Sequence, residues 1–265
     1  MQWLWLSALG VVVGGLGTLV GAGGGFLLMP ILVLLYPNDA PSTLASISLA
    51  VVFLNATSGT IGYARLKLID YRSGRIFLLA GIPGAIAGAL LTAMIPRSAF
   101  DLWLGGTLVL VALWILWGAG RPDRAASAGG GSPKLIAPPT PLGRGAALSF
   151  GVAFLSSVLG IGGGIIHVPA MVYLLRFPVH VAAATSHFVL AGTSLAGSLV
   201  HAMDGTFATG YRRAAALGVG AIIGAQIGAR LSRKTPSAWI MRGLAVGLAG
   251  VGIRVIVVAL TRAHP

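Results

Sequence analysis

Cysteine is absent from the 265 residues. That excludes disulfides, thiolate metal ligands and any sulfur relay through protein thiols, so a substrate is handled without covalent thiol chemistry. Glutamate is absent too, and the carboxylates are Asp39, Asp70, Asp101, Asp123 and Asp204, each at or near an expected loop. Five His without Cys or Glu do not make a metal site, and no cofactor motif is present. Charged residues of both signs amount to 9% of the chain, whereas 56% is hydrophobic, a balance that no soluble core of this size needs.

Apolar stretches of roughly spanning length recur near 3–20, 42–64, 76–95, 99–118, 145–160, 181–203, 214–231 and 239–260. The expected fold is therefore an all-α integral membrane protein. The net charge of +13 resides in Lys and Arg at helix ends and in loops, where it anchors cytoplasmic segments rather than binding nucleic acid. The amino-terminal stretch from Met1 has no basic region and no convincing cleavage site before its glycines, so it reads as a retained helix.

Two of the apolar runs are broken by one signature. It reads Gly21-Ala22-Gly23-Gly24-Gly25 with Pro30, then Gly160-Ile161-Gly162-Gly163-Gly164 with Pro169. A helix break at membrane depth exposes backbone groups that must line protected space, and paired breaks of this kind point to a transporter binding site. The clusters are not dinucleotide fingerprints, because Phe26 and Ile165 stand where the last Gly would be and neither cluster follows a strand.

Shifting the chain by about 139 positions superposes the two clusters. Ser48 then meets Ser186, Asn55 meets Thr193, Gly59 meets Gly197 and Tyr71-Arg72 meets Tyr211-Arg212. Residues 1–118 form a first membrane repeat and 144–265 a second, joined at 119–143 by a flexible, cytoplasmic linker rich in Gly, Pro and Ser. Each half is expected to contain a glycine-broken helix hairpin and three spanning helices. If the hairpins return to their starting side, the second half is inverted. Arg65, Lys67, Arg72, Arg75, Arg121, Arg124, Lys134, Arg144, Arg230, Arg233, Lys234 and Arg242 then face the cytoplasm, and Arg97, Arg212, Arg213, Arg254 and Arg262 the outside.

At each cluster a short helix begins with free N–H groups and a partial positive charge, a seat for an oxyanion that needs no buried Lys or Arg. The expected substrate-binding residues are Gly21, Gly23, Gly24 and Gly25 with Ser48 and Asn55 in the first half. In the second half they are Gly160, Gly162, Gly163 and Gly164 with Ser186, Thr193 and Ser194. Hydroxyls and an amide at helical spacing donate to a partly dehydrated anion, although Ser and Thr also bond their own helix. His187 can titrate near physiological pH and is the candidate for proton coupling. His201 and Asp204 read as a polar pair at the membrane interface. The runs Gly81, Gly84, Gly88 and Gly220, Gly224, Gly228 read as helix-packing faces. No Gly-x-Ser-x-Gly elbow, thiol or intramembrane carboxylate supports a membrane enzyme; an anion channel with the same broken helices is the other alternative.

The duplicated Gly-x-Gly-Gly-Gly with its downstream Pro, followed by Ala45-Ser46-Ile47-Ser48 and Ala183-Ala184-Thr185-Ser186, resembles the sulfite exporter TauE/SafE family over nearly the whole chain. The resemblance implies a permease of the plasma (inner) membrane that exports small sulfur-containing anions, sulfite or organosulfonates, or carries related carboxylates. The partners expected are that anion, the lipid bilayer, protons as coupling ion and a second copy of the chain as a homodimer.

Overall fold

The computed structural model describes residues 2–119, 142–232 and 234–263. The expected linker at 119–143, with Asp123, therefore lies almost wholly outside the described residues. Those residues form α1 (Gln2–Val20), α2 (Gly25–Leu35), α3 (Pro41–Arg65), α4 (Tyr71–Thr92), α5 (Arg97–Ala119), α6 (Leu142–Val158), α7 (Gly164–Tyr173), α8 (Val179–Met203), α9 (Tyr211–Ser232) and α10 (Ser237–Ala263). A 3₁₀ turn at Thr206–Thr209 precedes α9. Seven of the helices, all but α2, α6 and α7, are long and apolar enough to cross a membrane.

Local chemistry sets the helix ends. Pro41 opens α3 from an extended Ala40, its fixed φ suited to a first turn. Asp70 caps α4, accepting from the Arg72 amide at 3.0 Å and the Ser73 hydroxyl at 2.8 Å. α2 and α7 each carry a proline and run only 11 and 10 residues. At about 1.5 Å per residue they reach roughly half-way through the hydrocarbon.

Helix pairs are drawn together by small residues, because lipid offers no hydrophobic drive between apolar helices. α1 runs parallel to α9: Gly220, Gly224 and Gly228 lie directly on the backbone at Ser7, Val11 and Gly15. The Ser7 hydroxyl donates to the Ala216 carbonyl at 2.9 Å. α4 runs parallel to α6, with Gly84 and Gly88 against Phe150 and Phe154, so both glycine runs are packing faces as expected. Ser149 donates to the Phe77 carbonyl at 2.7 Å and Thr92 to the Val158 carbonyl at 3.0 Å. α3 and α8 cross antiparallel through the middle, Leu49 beside Gly197 and Gly59 beside His187.

Polar contacts at the helix ends show which ends lie together. Arg213, near the start of α9, reaches the Asp39 carboxylate just after α2 at 2.5 Å and stacks 3.9 Å from the Tyr36 ring. Arg97, at the start of α5, bonds the Asp101 carboxylate at 2.9 Å and the Asp39 and Val33 carbonyls. The hairpin α1–α2 thus returns to the end from which it starts. At the opposite end the Tyr173 hydroxyl, closing α7, donates to the Ile115 carbonyl at 3.3 Å, and the Asp70 amide bonds the Thr185 hydroxyl at 3.0 Å. Hairpin α6–α7 starts and returns there. Asp101 corrects the loop expectation: it lies inside α5 and is buried, with Arg97 one turn before it.

Candidate functional site

Each hairpin turns on three glycines in the left-handed region, Gly21, Gly23 and Gly24 at φ 86°, 73° and 79°, and Gly160, Gly162 and Gly163 at φ 64°, 77° and 73°. Side chains at these positions would be strained, which explains the triplets. The Ala22 amide closes the first turn on the Gly17 carbonyl at 2.7 Å, and the Ile161 amide closes the second on the Ser156 carbonyl at 3.0 Å. No side chain caps α2 or α7.

The two turns press against each other. Gly25 abuts the Ile161 carbonyl and Gly164 abuts Ala22, where no Cβ would fit. Val52 of α3 and Leu190 of α8 close the centre: a Cβ on Gly162 would lie 2.6 Å from Val52 and one on Gly23 2.6 Å from Leu190. With Ala56 they form a small apolar cluster of their own.

A chain of polar groups fastens the first turn. The Asn55 amide donates to the Gly14 and Gly23 carbonyls, each at 3.2 Å, so its oxygen faces Thr18 and accepts the Thr18 hydroxyl at 2.5 Å. Thr18 then offers His187 Nε2, 3.2 Å away, only a lone pair, while Nδ1 faces the Ala183 carbonyl at 3.3 Å. A neutral imidazole donates to one of those acceptors and an imidazolium to both. The Tyr63 ring stands edge-on to His187 at 5.4 Å, and its hydroxyl donates to the Thr18 carbonyl at 2.5 Å.

The second turn is held differently. Ser48 crosses from α3 to donate to the Gly160 carbonyl at 2.5 Å, so its proton is engaged. Thr193 donates to the Val189 carbonyl at 3.2 Å and Ser194 to the Leu190 carbonyl, both within their own helix. Ser186 is fully buried and its hydroxyl has no hydrogen-bond partner. The same holds for Ser156 and Ser157 at the end of α6. These two line a pocket with Gly162, Gly163, Thr193 and Ser194, whose free volume of about 10 Å³ is the room of one water.

Of the residues expected from the sequence, the glycines, Ser48, Asn55, Thr193, Ser194 and His187 sit around the two turns, while Ser186 is buried in α8 with no contact to either turn among the described bonds. Sequence reasoning missed Thr18, Ser156, Ser157, Tyr63, Val52 and Leu190. Thr18 and Ser157 stand at matching positions, each three residues before its cluster, a signal the internal alignment already contained. Gln226 donates to the Ser58 carbonyl at 2.7 Å and belongs to helix packing. His201 and Asp204 do pair, Nδ1 to carboxylate 3.6 Å. Burial alone would raise the Asp204 carboxyl, but hydrogen bonds from the Thr206 hydroxyl and amide, with His201 alongside, hold it below its ordinary value.

Comparison with known proteins agrees with a membrane transporter. A model of the sulfite exporter TauE/SafE family matches residues 6–255. "Probable membrane transporter protein YunE" of Bacillus subtilis is 32% identical over 271 residues, covering 97% of this chain and 98% of that protein. A protein of the same description from Methanocaldococcus jannaschii is 28% identical over 72% of this chain and 69% of its own. One from Xylella fastidiosa is 26% identical over 91% of this chain and 88% of its own. No solved structure matches. A multi-pass helical chain with this coverage belongs to the sulfite exporter TauE/SafE family of membrane transporters.

Proposed function

We propose that the protein is a secondary transporter that exports a small sulfur-containing anion, sulfite or an organosulfonate, by alternating access around the two glycine turns. The observation that carries this is the contact of the turns themselves: two uncapped helix starts, α2 and α7, meet in the middle of the bundle with Ser, Asn and His side chains around them. Helix starts supply amide donors and partial positive charge to an oxyanion.

The two halves act as inverted repeats. Exchanging α1–α5 for α6–α10 maps the α1–α9 pair onto α6–α4 and leaves the antiparallel α3–α8 pair in place, and the hairpins open from opposite ends of the bundle. The end holding Arg65, Lys67, Arg72, Arg75, Arg144, Arg176, Arg230, Lys234 and Arg242 is the cytoplasmic one, since basic residues concentrate there. Rocking of one half against the other would part Val52 and Leu190 and expose the turns to each side in sequence.

His187 supports proton coupling. Its two nitrogens face two groups that both accept hydrogen bonds, so a second proton on the ring completes the chain through Thr18 and Asn55 to the Gly23 carbonyl.

The test is flux of radiolabelled sulfite into proteoliposomes. Saturable uptake, inhibited by unlabelled sulfite and accelerated by sulfite preloaded inside, supports a carrier. Ohmic, non-saturating current would make the protein a channel, and no flux would remove the sulfur-anion reading.

A further inference from the structure

We propose that the anion seats on one side only, against the second glycine turn, with the hydroxyls of Ser156 and Ser157 as its donors. This rests on the transport reading above and names the groups that hold the substrate.

The two turns share a backbone but differ in what reaches them. In the first half the positions matching Ser156 and Ser157 are Gly17 and Thr18, and Asn55 fills the space beside them. Its amide nitrogen bonds the Gly14 and Gly23 carbonyls, its oxygen accepts the Thr18 hydroxyl, and the Gly23 amide bonds the Gly17 carbonyl at 3.1 Å, so the protein itself engages these groups of the first turn. In the second half Thr193 stands at the position of Asn55. It is shorter, and its hydroxyl bonds its own helix at Val189. No side chain replaces the amide, and the Gly162 carbonyl accepts from the Gly164 amide at 2.9 Å instead.

The consequence is a pair of orphaned donors. Ser156 is 2% exposed and Ser157 3%, and neither hydroxyl has a hydrogen-bond partner, although a serine on a helix ordinarily turns back to its own backbone. Both line the pocket beside Gly162 and Gly163, whose amides have no acceptor among the described residues. These donors border a space that admits one oxygen atom, beside the start of α7, with Leu49, Ala85 and Ala153 as its apolar walls. An oxyanion is therefore seated through a single oxygen, and its remaining bulk needs the outward displacement of Val52 from Gly162.

An internal water is the competing occupant, and calorimetric titration of sodium sulfite into the purified full-length protein separates the two. The paired change Ser156→Ala with Ser157→Ala should weaken sulfite binding by roughly tenfold or more, because a charged acceptor loses two hydrogen bonds. The melting temperature should hold or rise, since two unpartnered hydroxyls leave the interior. Ser149→Ala on the same helix breaks a structural bond to Phe77 and should lower the melting temperature with affinity kept within about twofold. The single changes Ser156→Ala and Ser157→Ala, titrated in the same way, give the answer if the paired variant does not fold. Unchanged affinity in the Ser156 and Ser157 variants overturns this seat and leaves the transport reading standing. Unchanged affinity with a lower melting temperature identifies the occupant as water, which also overturns it. A parent protein that binds no sulfite overturns both.

Discussion

Asn55 of α3 holds the Gly23 carbonyl of the first glycine turn, amide nitrogen to oxygen 3.2 Å, across the interior of the bundle. The same side chain accepts from Thr18 and donates to Gly14, so three polar groups depend on it in the buried interior. Asn55→Ala takes from the Thr18 hydroxyl and the Gly23 carbonyl the partner Asn55 gives them, and from the Gly14 carbonyl a bond beyond its helical one. Removing partners from buried groups costs about 1–3 kcal/mol each. The expected result is a marked fall in thermal stability in detergent, with sulfite flux lost; a variant as stable as the parent would show that the chain through Asn55 does not secure the turn.

His187→Gln should remove the protein's own response to pH. Gln can donate to Thr18 but does not titrate, so the state in which both neighbours are satisfied by a second proton no longer forms. Methanesulfonate is the right probe, because its charge is constant over the range. Parent flux should rise toward acid pH, as imidazolium forms, and the variant should be flat. An identical profile in the two would take His187 out of the coupling.

Charge selectivity follows from the same residues. The pocket at the second turn is lined by hydroxyls, glycines and the apolar Leu49, Ala85 and Ala153, with no Lys or Arg, so nothing compensates a second negative charge. The Born cost of desolvation grows as the square of the charge, about four times greater for a dianion. At one fixed pH, methanesulfonate should compete with labelled sulfite at least roughly tenfold better than sulfate does. Equal competition would contradict a site built from neutral donors.

Absence of native cysteine makes the inverted arrangement directly testable. Lys67→Cys and Lys234→Cys lie at one end of the bundle, Met94→Cys and Ala208→Cys at the other, and all four parent residues are exposed. In intact cells a membrane-impermeant maleimide should label the second pair and spare the first. Labelling of Lys67→Cys and Ala208→Cys together would refute the inverted arrangement.

The sequence declared its helices and its two breaks because each depends on local properties. Apolar runs of spanning length and glycine triplets at positive φ need no tertiary knowledge to be read. The groups around the breaks were less legible. Ser48, Thr193 and Ser194 look alike as hydroxyls on helix stripes, yet Ser48 clasps the Gly160 carbonyl while the other two bond their own helix. Periodicity gives the face, not the acceptor. Thr18 and Tyr63 carry no motif of their own, and only the crossing of α3, α8 and α1 makes them part of the chain from His187 to Gly23. Asp101 falls near the start of the 99–118 apolar run, and nothing in that run shows its partner; the helix begins at Arg97 and places the two charges one turn apart.

The central claim is that the anion binds at the glycine turns, and equilibrium binding of sulfite to Gly163→Ala tests it most directly. The added methyl would stand 3.1 Å from the Ser156 hydroxyl at a residue with φ 73°, whereas Gly151→Ala, on the outward face of the same hairpin, meets only open space. The account predicts that Gly151→Ala binds sulfite as the parent does and that Gly163→Ala, still folded by its melting transition, has lost most of its affinity. Parent-like affinity in a folded Gly163→Ala protein would contradict it and move the site away from the turns.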